Sequence, residues 1–251
     1  MTNIILSGCS GKMGASIIAC AAARTDCRIT AGVDIIAPQH TDFAYAARFS
    51  DLPEGGDVIV DFSNPAVLND LLAYATDKKL PCVICTTGYS EEQKAKIRKA
   101  SESIPIFYSG NMSLGINLII ELAKKAAAVF GEDFDVEIVE QHHNQKLDAP
   151  SGTALMIADA ISEVRTDAEY VYDRHAYRKK REKKEIGIHS VRGGNIVGEH
   201  EIIFAGTDEV LKISHSARSK TVFAVGALNG AIFLKDQQPG MYDMSALLAS
   251  R

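Results

Sequence analysis

Short apolar runs and helical stretches alternate through the first 108 residues. The apolar runs lie at 3–7, 28–34, 57–62, 82–85 and 104–108, and helix-like stretches fill 13–23, a segment ending near 76 and a charged segment from 90 onward. That order predicts a doubly wound parallel sheet with helices on both faces. Ligands of such sheets gather at the carboxyl ends of the strands. Those ends carry residues 8–14, Asp34, Ser63-Asn64, 85–88 and 109–112.

The second half has a different pattern. An apolar helix is expected over 114–130, and a strand over 135–141 leads into His142-His143. Pro150-Ser151-Gly152-Thr153 opens a helix over 154–164. Two strand-like runs flank Arg192-Gly193-Gly194-Asn195, a hairpin signal. A strand-rich stretch reaches about 223, and 224–234 and the tail are helical again. The expected organisation is a dinucleotide-binding domain built from 1–112 and 223–251, with an α+β domain, 113–222, inserted between them.

At 251 residues the chain has room for one large domain or two modest ones. Its net charge of -5 and lack of Trp argue against a general nucleic-acid or anionic-membrane binder. The longest uncharged stretch near the start, 13–23, is half of what a membrane span needs, and no cation precedes Lys12. Five clustered cysteines without a leader read as reduced thiols of a cytoplasmic protein. Cys82 and Cys85 form a C-x-x-C, but inside a short apolar run, so they read as packing. Residues 173–185 carry a local net charge of +4, read as a solvated face that helps steer an anionic substrate.

Gly8-Cys9-Ser10-Gly11-Lys12-Met13-Gly14 joins the first strand to the first helix. Glycines there let the backbone turn tightly beneath a pyrophosphate resting on the helix N-terminus. The spacing is G-x-x-G-x-x-G, and a plain tight turn is the competing reading. Asp34 stands 20 residues beyond Gly14, where a carboxylate accepts hydrogen bonds from an adenosine ribose. It repels a 2′-phosphate, and Ile35-Ile36 put no cation beside it, which favours NADH. Lys12 can still reach a 2′-phosphate, so NADPH stays open.

Residues 140–154 read Glu-Gln-His-His-Asn-Gln-Lys-Leu-Asp-Ala-Pro-Ser-Gly-Thr-Ala. His142 and His143 are adjacent, so on a strand they point to opposite sides, one as a general acid and the other as a hydrogen-bond donor. Lys146 adds a fixed charge, and Ser151, Gly152 and Thr153 sit where helix amides can hold a carboxylate. Glu140, His142, His143 and Asp148 match no common zinc spacing, so no metal is expected. A structural histidine pair and an ordinary helix cap remain the plain alternative. Together with the glycine loop, the cluster points to reduction of an anionic substrate.

With these motifs in hand, the whole chain resembles the dihydrodipicolinate reductase family of bacterial diaminopimelate and lysine synthesis. The likeness rests on residues 8–14, Val60-Asp61-Phe62-Ser63, Thr86-Thr87-Gly88, 111–117, 142–154, 191–200 and 240–244. It implies a Rossmann-like cofactor domain plus an inserted substrate-binding and oligomerisation domain, joined into a homotetramer. It implies NADH or NADPH as cofactor and a cyclic imine dicarboxylate as substrate, with hydride delivered to C4 and a proton to C3. His142 looks like the proton donor and Lys146 like its partner, while His143, Ser151, Gly152 and Thr153 look like substrate contacts. Gly8, Cys9, Ser10, Gly11, Lys12, Met13 and Asp34 match the cofactor loop. Cys85, Thr86, Thr87, Ser109, Gly110, Asn111 and Met112 match segments beside the nicotinamide. Two positions depart from the pattern: Cys85 stands where many relatives have Gly, and Lys220 where some have Arg. A dinucleotide sensor, and a reductase of a sugar or an amino-acid semialdehyde, are the competing readings.

Overall fold

A computed structural model of the chain describes residues 1–38, 42–53 and 55–251. They divide into two compact units, Met1–Leu114 with Thr221–Arg251, and Gly115–Lys220.

The first unit opens with β1 (Thr2–Ser7), α1 (Lys12–Ala22), β2 (Cys27–Val33), β3 (Ala44–Ala46) and β4 (Val58–Asp61). It continues with α2 (Leu68–Lys78), β5 (Cys82–Ile84), α3 (Glu91–Ala100) and β6 (Pro105–Tyr108). A helix, α4 (Leu114–Phe130), carries the chain into the second unit. That unit adds β7 (Asp135–His142), α5 (Gly152–Ser162), β8 (Glu169–Val171), β9 (Glu185–Arg192), β10 (Gly198–Ala205) and β11 (Val210–Ala217). The chain then returns to the first unit with α6 (Thr221–Leu234), β12 (Gly240–Tyr242) and α7 (Met244–Ala249).

The sheet of the first unit runs β12-β6-β5-β4-β1-β2-β3, every pair parallel. The strand order reverses between β1 and β4, which makes their carboxyl ends the natural ligand crevice. Helices cover both faces, so the central strands are apolar on both sides: Val58, Ile59 and Val60 are all fully buried. One face packs on α1 and α6 through Ile17, Ala227 and Leu228. The other packs on α2 and α3 through Leu71, Ala75 and Ile97. Ser90 and Gln93 form a capping box that starts α3.

The sheet of the second unit runs β11-β10-β7-β9-β8. Alternate residues of β7 turn inward, and Val136 and Ile138 meet α4 and α5 through Ile119, Ala123, Ile157 and Ile161. The same alternation carries Glu140 and His142 onto that buried face at the carboxyl end of β7. The arginines of the basic run pin it to this sheet. Arg181 bonds Asp135 at 2.8 Å and Glu137 at 3.0 Å, and Arg174 pairs with Glu185 at 2.8 Å.

One expectation fails. Residues 192–195 do not close a hairpin: β9 and β10 flank β7, the first parallel to it and the second antiparallel. The turn therefore spans two strand widths across the end of β7. Gly193 N–H donates to His142 O at 2.9 Å, and Asn144 N–H to Gly194 O at 3.2 Å. Four of the described strands, β3, β5, β8 and β12, have three residues each. Of these, β5 lies inside its sheet, fully buried, and reads as an apolar run, whereas β3, β8 and β12 are sheet edges and leave no such run in the sequence.

Candidate active site

The crevice of the first unit is built on two glycines. Gly8 follows β1 with a φ of 80°, and its N–H donates to Val33 O at 2.8 Å. A Cβ there would lie 2.5 Å from Phe62 O, and one on Gly14 would lie 2.3 Å from Gly8 O. Neither position admits a side chain, so the loop lies tight between β4 and α1. Gly11 begins α1 with no side-chain cap and no acidic residue in the first turn, which leaves a positive helix start.

Asp34 closes one side. Its Oδ2 accepts from Ser10 N–H at 3.0 Å and its Oδ1 from Ile36 N–H at 3.3 Å. The cleft holds about 380 Å³ and is lined by Gly8, Gly11, Asp34, Phe62 and Ser63 among others. A backbone cradle that excludes Cβ atoms, an open helix start and a carboxylate across from them fit a pyridine dinucleotide. Lys12 and Ser10 are exposed and Met13 is half-buried at this rim. Cys9 is buried, and burial pushes its thiol up, so its contribution is its backbone.

At the carboxyl end of β4 a buried carboxylate organises the segment that follows β5. Asp61 accepts from Thr86 Oγ1 at 2.7 Å, Ser63 Oγ at 2.5 Å and Tyr89 OH at 3.4 Å, while its carbonyl takes Cys85 N–H at 2.9 Å. Thr86 is thereby anchored inward, whereas Thr87 is exposed. Burial, with Asp61 adding to it, raises the Cys85 thiol well above the ordinary range, as expected of a packing cysteine. After β6, Ser109 Oγ donates to Asn111 O at 3.0 Å and Ser113 N–H to Asn111 Oδ1 at 2.9 Å, with Gly110 exposed and Met112 buried.

The second constellation lies at the carboxyl end of β7. His142 Nδ1 sits 2.6 Å from Glu140 Oε2. Arg192 on β9 grips the same carboxylate through both oxygens, at 2.7 and 2.8 Å, and Ser151 N–H donates to Oε1 at 3.1 Å. Burial raises the Glu140 carboxyl, but Arg192, Ser190 and His142 outweigh it and hold it down to about 2. Burial lowers His142 and prevails over the pull of Glu140, with Lys146 and Arg192 lowering it further. A Cβ on Gly198 would come 3.1 Å from His142 Nε2, so this glycine keeps the ring's outer nitrogen uncrowded.

Lys146 is half-buried and pairs with the exposed Asp148 at 2.9 Å. His143 is half-buried and Gly152 exposed at the start of α5, with Thr153 half-buried behind it. Ser151 is buried: its Oγ caps Ala154 N–H at 3.2 Å and meets His200 Nε2 at 3.1 Å. His142, His143, Lys146, Ser151, Gly152 and Thr153 thus come from one strand end, one loop and one helix start.

Glu140, Arg192 and His200 join the cluster without having been singled out for these roles. Glu140 was legible, since residues two apart on a strand share a face. Arg192 and His200 arrive from other strands, which only the fold reveals. His200 packs edge-on to His142, with ring centroids 5.3 Å apart. Burial and the neighbouring His142 hold its pKa down to about 4. The free ring in the unfolded chain titrates near 6.5. The folded value being the lower, His200 contributes stability above pH 6.5 that is lost as pH falls toward 4. Two and a half units correspond to about 3 kcal/mol. Denaturant titrations at pH 7 and pH 4.5 should show this loss in the wild type and a smaller one in His200→Gln; equal losses contradict it.

Comparison with known proteins places these two constellations in a family. The model for the N-terminus of dihydrodipicolinate reductase matches residues 2–112, and that for its C-terminus matches 115–248. The 4-hydroxy-tetrahydrodipicolinate reductase of Clostridium tetani is 48% identical over 251 residues, covering 100% of this chain and 98% of that protein. The enzyme of the same name from Caldanaerobacter subterraneus is 50% identical, covering 99% of this chain and 98% of its own. Among solved structures, a dipicolinate-bound dihydrodipicolinate reductase from Paenisporosarcina matches with a TM-score of 0.82 at 25% identity, covering 97% of each chain. A myo-inositol dehydrogenase from Corynebacterium glutamicum, at 16% identity and a TM-score of 0.57, shares the fold. With both halves of the sequence matched and identity near one half along its full length, the chain belongs to the dihydrodipicolinate reductase family.

Proposed function

We propose that this chain reduces the cyclic imine dicarboxylate derived from 4-hydroxy-tetrahydrodipicolinate to tetrahydrodipicolinate, using NADH or NADPH. The observation that carries the reading is the Glu140–His142 pair beside Lys146 and the start of α5, because it joins a held imidazole to anion-binding groups. When bound in the glycine-loop cleft, the dihydronicotinamide supplies the hydride to C4 of the substrate ring.

The chain's own residues do the rest. Gly8, Cys9, Ser10, Gly11, Lys12 and Met13 hold the pyrophosphate, and Asp34 takes the ribose hydroxyls. Cys85 and Thr86, fixed through Asp61, and the exposed Thr87 bind the nicotinamide end with Ser109, Gly110, Asn111 and Met112. The substrate is a dianion. Lys146 exchanges its exposed partner Asp148, a pairing of low worth at the surface, for the substrate. His143, Gly152 and Thr153 hold carboxylate oxygens at the helix start. Ser151 shapes that start, its hydroxyl and N–H being engaged within the unit. His142, neutral in the resting protein, gains its proton as the dianion raises its pKa, and donates it from Nε2 to C3. Glu140 keeps the ring oriented through Nδ1.

The uncovered face of the second sheet and its edge strand β11, with Val210 and Leu211 exposed, support a homotetramer joined through this unit. The five free cysteines support a cytoplasmic, reducing location. Among the described residues no helix is long and apolar enough to cross a membrane.

The test is turnover of enzymatically generated substrate, with pyridine-2,6-dicarboxylate as inhibitor. That planar dianion presents two carboxylates to the same groups, so competitive inhibition against substrate is expected. Turnover that this compound leaves untouched would remove the dicarboxylate reading and favour a sugar or semialdehyde substrate.

A further inference from the structure

We infer that Arg48 receives the 2′-phosphate of NADPH and so lets the chain use both cofactors despite Asp34. This rests on the reading that the glycine-loop cleft binds a pyridine dinucleotide. The segment after β2, Ile35-Ile36-Ala37-Pro38, carries no cation, and the Asp34 carboxylate beside it is negative. A positive charge reaches the spot from another strand. In the β2–β3 ladder Val33 pairs with Ala46, and Asp34 N–H donates to Ala46 O at 3.3 Å. The chain therefore leaves β3 alongside Asp34, and Arg48 is two residues further on. Arg48, Asp34 and Ile35 line the same 380 Å³ cleft.

The guanidinium is available for a ligand. The Arg48 side chain is 78% exposed, and its ion pair with Asp51 is long, at 3.4 Å, and itself exposed. Arg48 caps the short 3-10 turn Phe49–Asp51 through its backbone and makes no side-chain cap bond, so its head carries no structural duty there. A planar guanidinium fork matches two phosphate oxygens, and its charge offsets that of Asp34. Asp34 can then serve the ribose of NADH while Arg48 serves the phosphorylated ribose of NADPH. The ligand class is a 2′-phosphorylated adenosine.

Equilibrium binding of 2′,5′-ADP and of 5′-ADP, by titration calorimetry, tests this without turnover. Wild type, Arg48→Ala, Arg48→Lys and Lys12→Ala are compared. The expected result is a Kd ratio, 2′,5′-ADP over 5′-ADP, that rises about tenfold in Arg48→Ala and less in Arg48→Lys. The KM ratio of NADPH to NADH should follow it. A ratio unmoved in Arg48→Ala, equal weakening of both nucleotides, or a shift confined to Lys12→Ala overturns the inference while leaving the cofactor reading intact. A wild type that binds neither nucleotide overturns both.

Discussion

A His142→Gln protein is expected to lose two to four orders of magnitude in kcat, roughly the range for removal of a positioned general acid. Its affinity for NADH should persist, because the cofactor cradle is built from the other unit. Lys146→Ala should also lower kcat, and additionally raise KM by removing a cation from a dianionic substrate. The pH dependence carries a sign. In the free protein burial holds His142 below its ordinary value, against the pull of Glu140. The donor must be protonated, so kcat/KM should rise as pH falls from 8 toward that lowered pKa. Bound dianion favours imidazolium, so the corresponding limb of kcat should sit at higher pH. Near wild-type turnover in both variants would mean that the acid lies elsewhere.

Arg192→Met should cost about 3–5 kcal/mol of folding stability at pH 7, measured by denaturant unfolding. Glu140 is fully buried, and Arg192 contacts both of its oxygens. Without the guanidinium an anion stays buried with His142, Ser190 and the Ser151 amide against it but no fixed positive charge. The folded pKa of about 2 lies below the ordinary 4.5, so this pairing adds stability above pH 4.5 that disappears as pH falls toward 2. In Arg192→Met the carboxyl rises, and acid destabilisation should shrink as neutral-pH stability falls. The double variant Glu140→Gln/Arg192→Met should be more stable than the sum of the single losses implies, because no charge is then left alone. A single-variant cost below about 1 kcal/mol would contradict the role given to Arg192.

What the sequence discloses follows interaction range. Five of the seven strands in the first sheet, the loop from Gly8 to Gly14 and Asp34 are local patterns, and they read directly. The three-residue β3 and β12 have no period, yet β3 is what carries Arg48 to the cleft. Arg192-Gly193-Gly194-Asn195 has the composition of a two-residue hairpin turn, and composition does not say that β7 occupies the space between its flanks. Glu140 was visible as a neighbour of His142 on one strand face. Arg192 and His200 become its companions through strand register alone: His142 aligns with Arg192, and Glu140 with His200.

The order of elements also bears on how the molecule is made. Synthesis runs from the amino end, so strands β1 to β6 leave the ribosome before α6. Yet α6 supplies Ala224, Ala227, Leu228, Ala231 and Leu234 to the layer over Ile4, Leu6, Val60, Val83 and Phe107. Until the last thirty or so residues emerge, one face of the nascent sheet stays greasy and open, an invitation to chaperones and to aggregation. The continuous second unit has no such wait. It can close on its own while the first unit, begun earlier, finishes last.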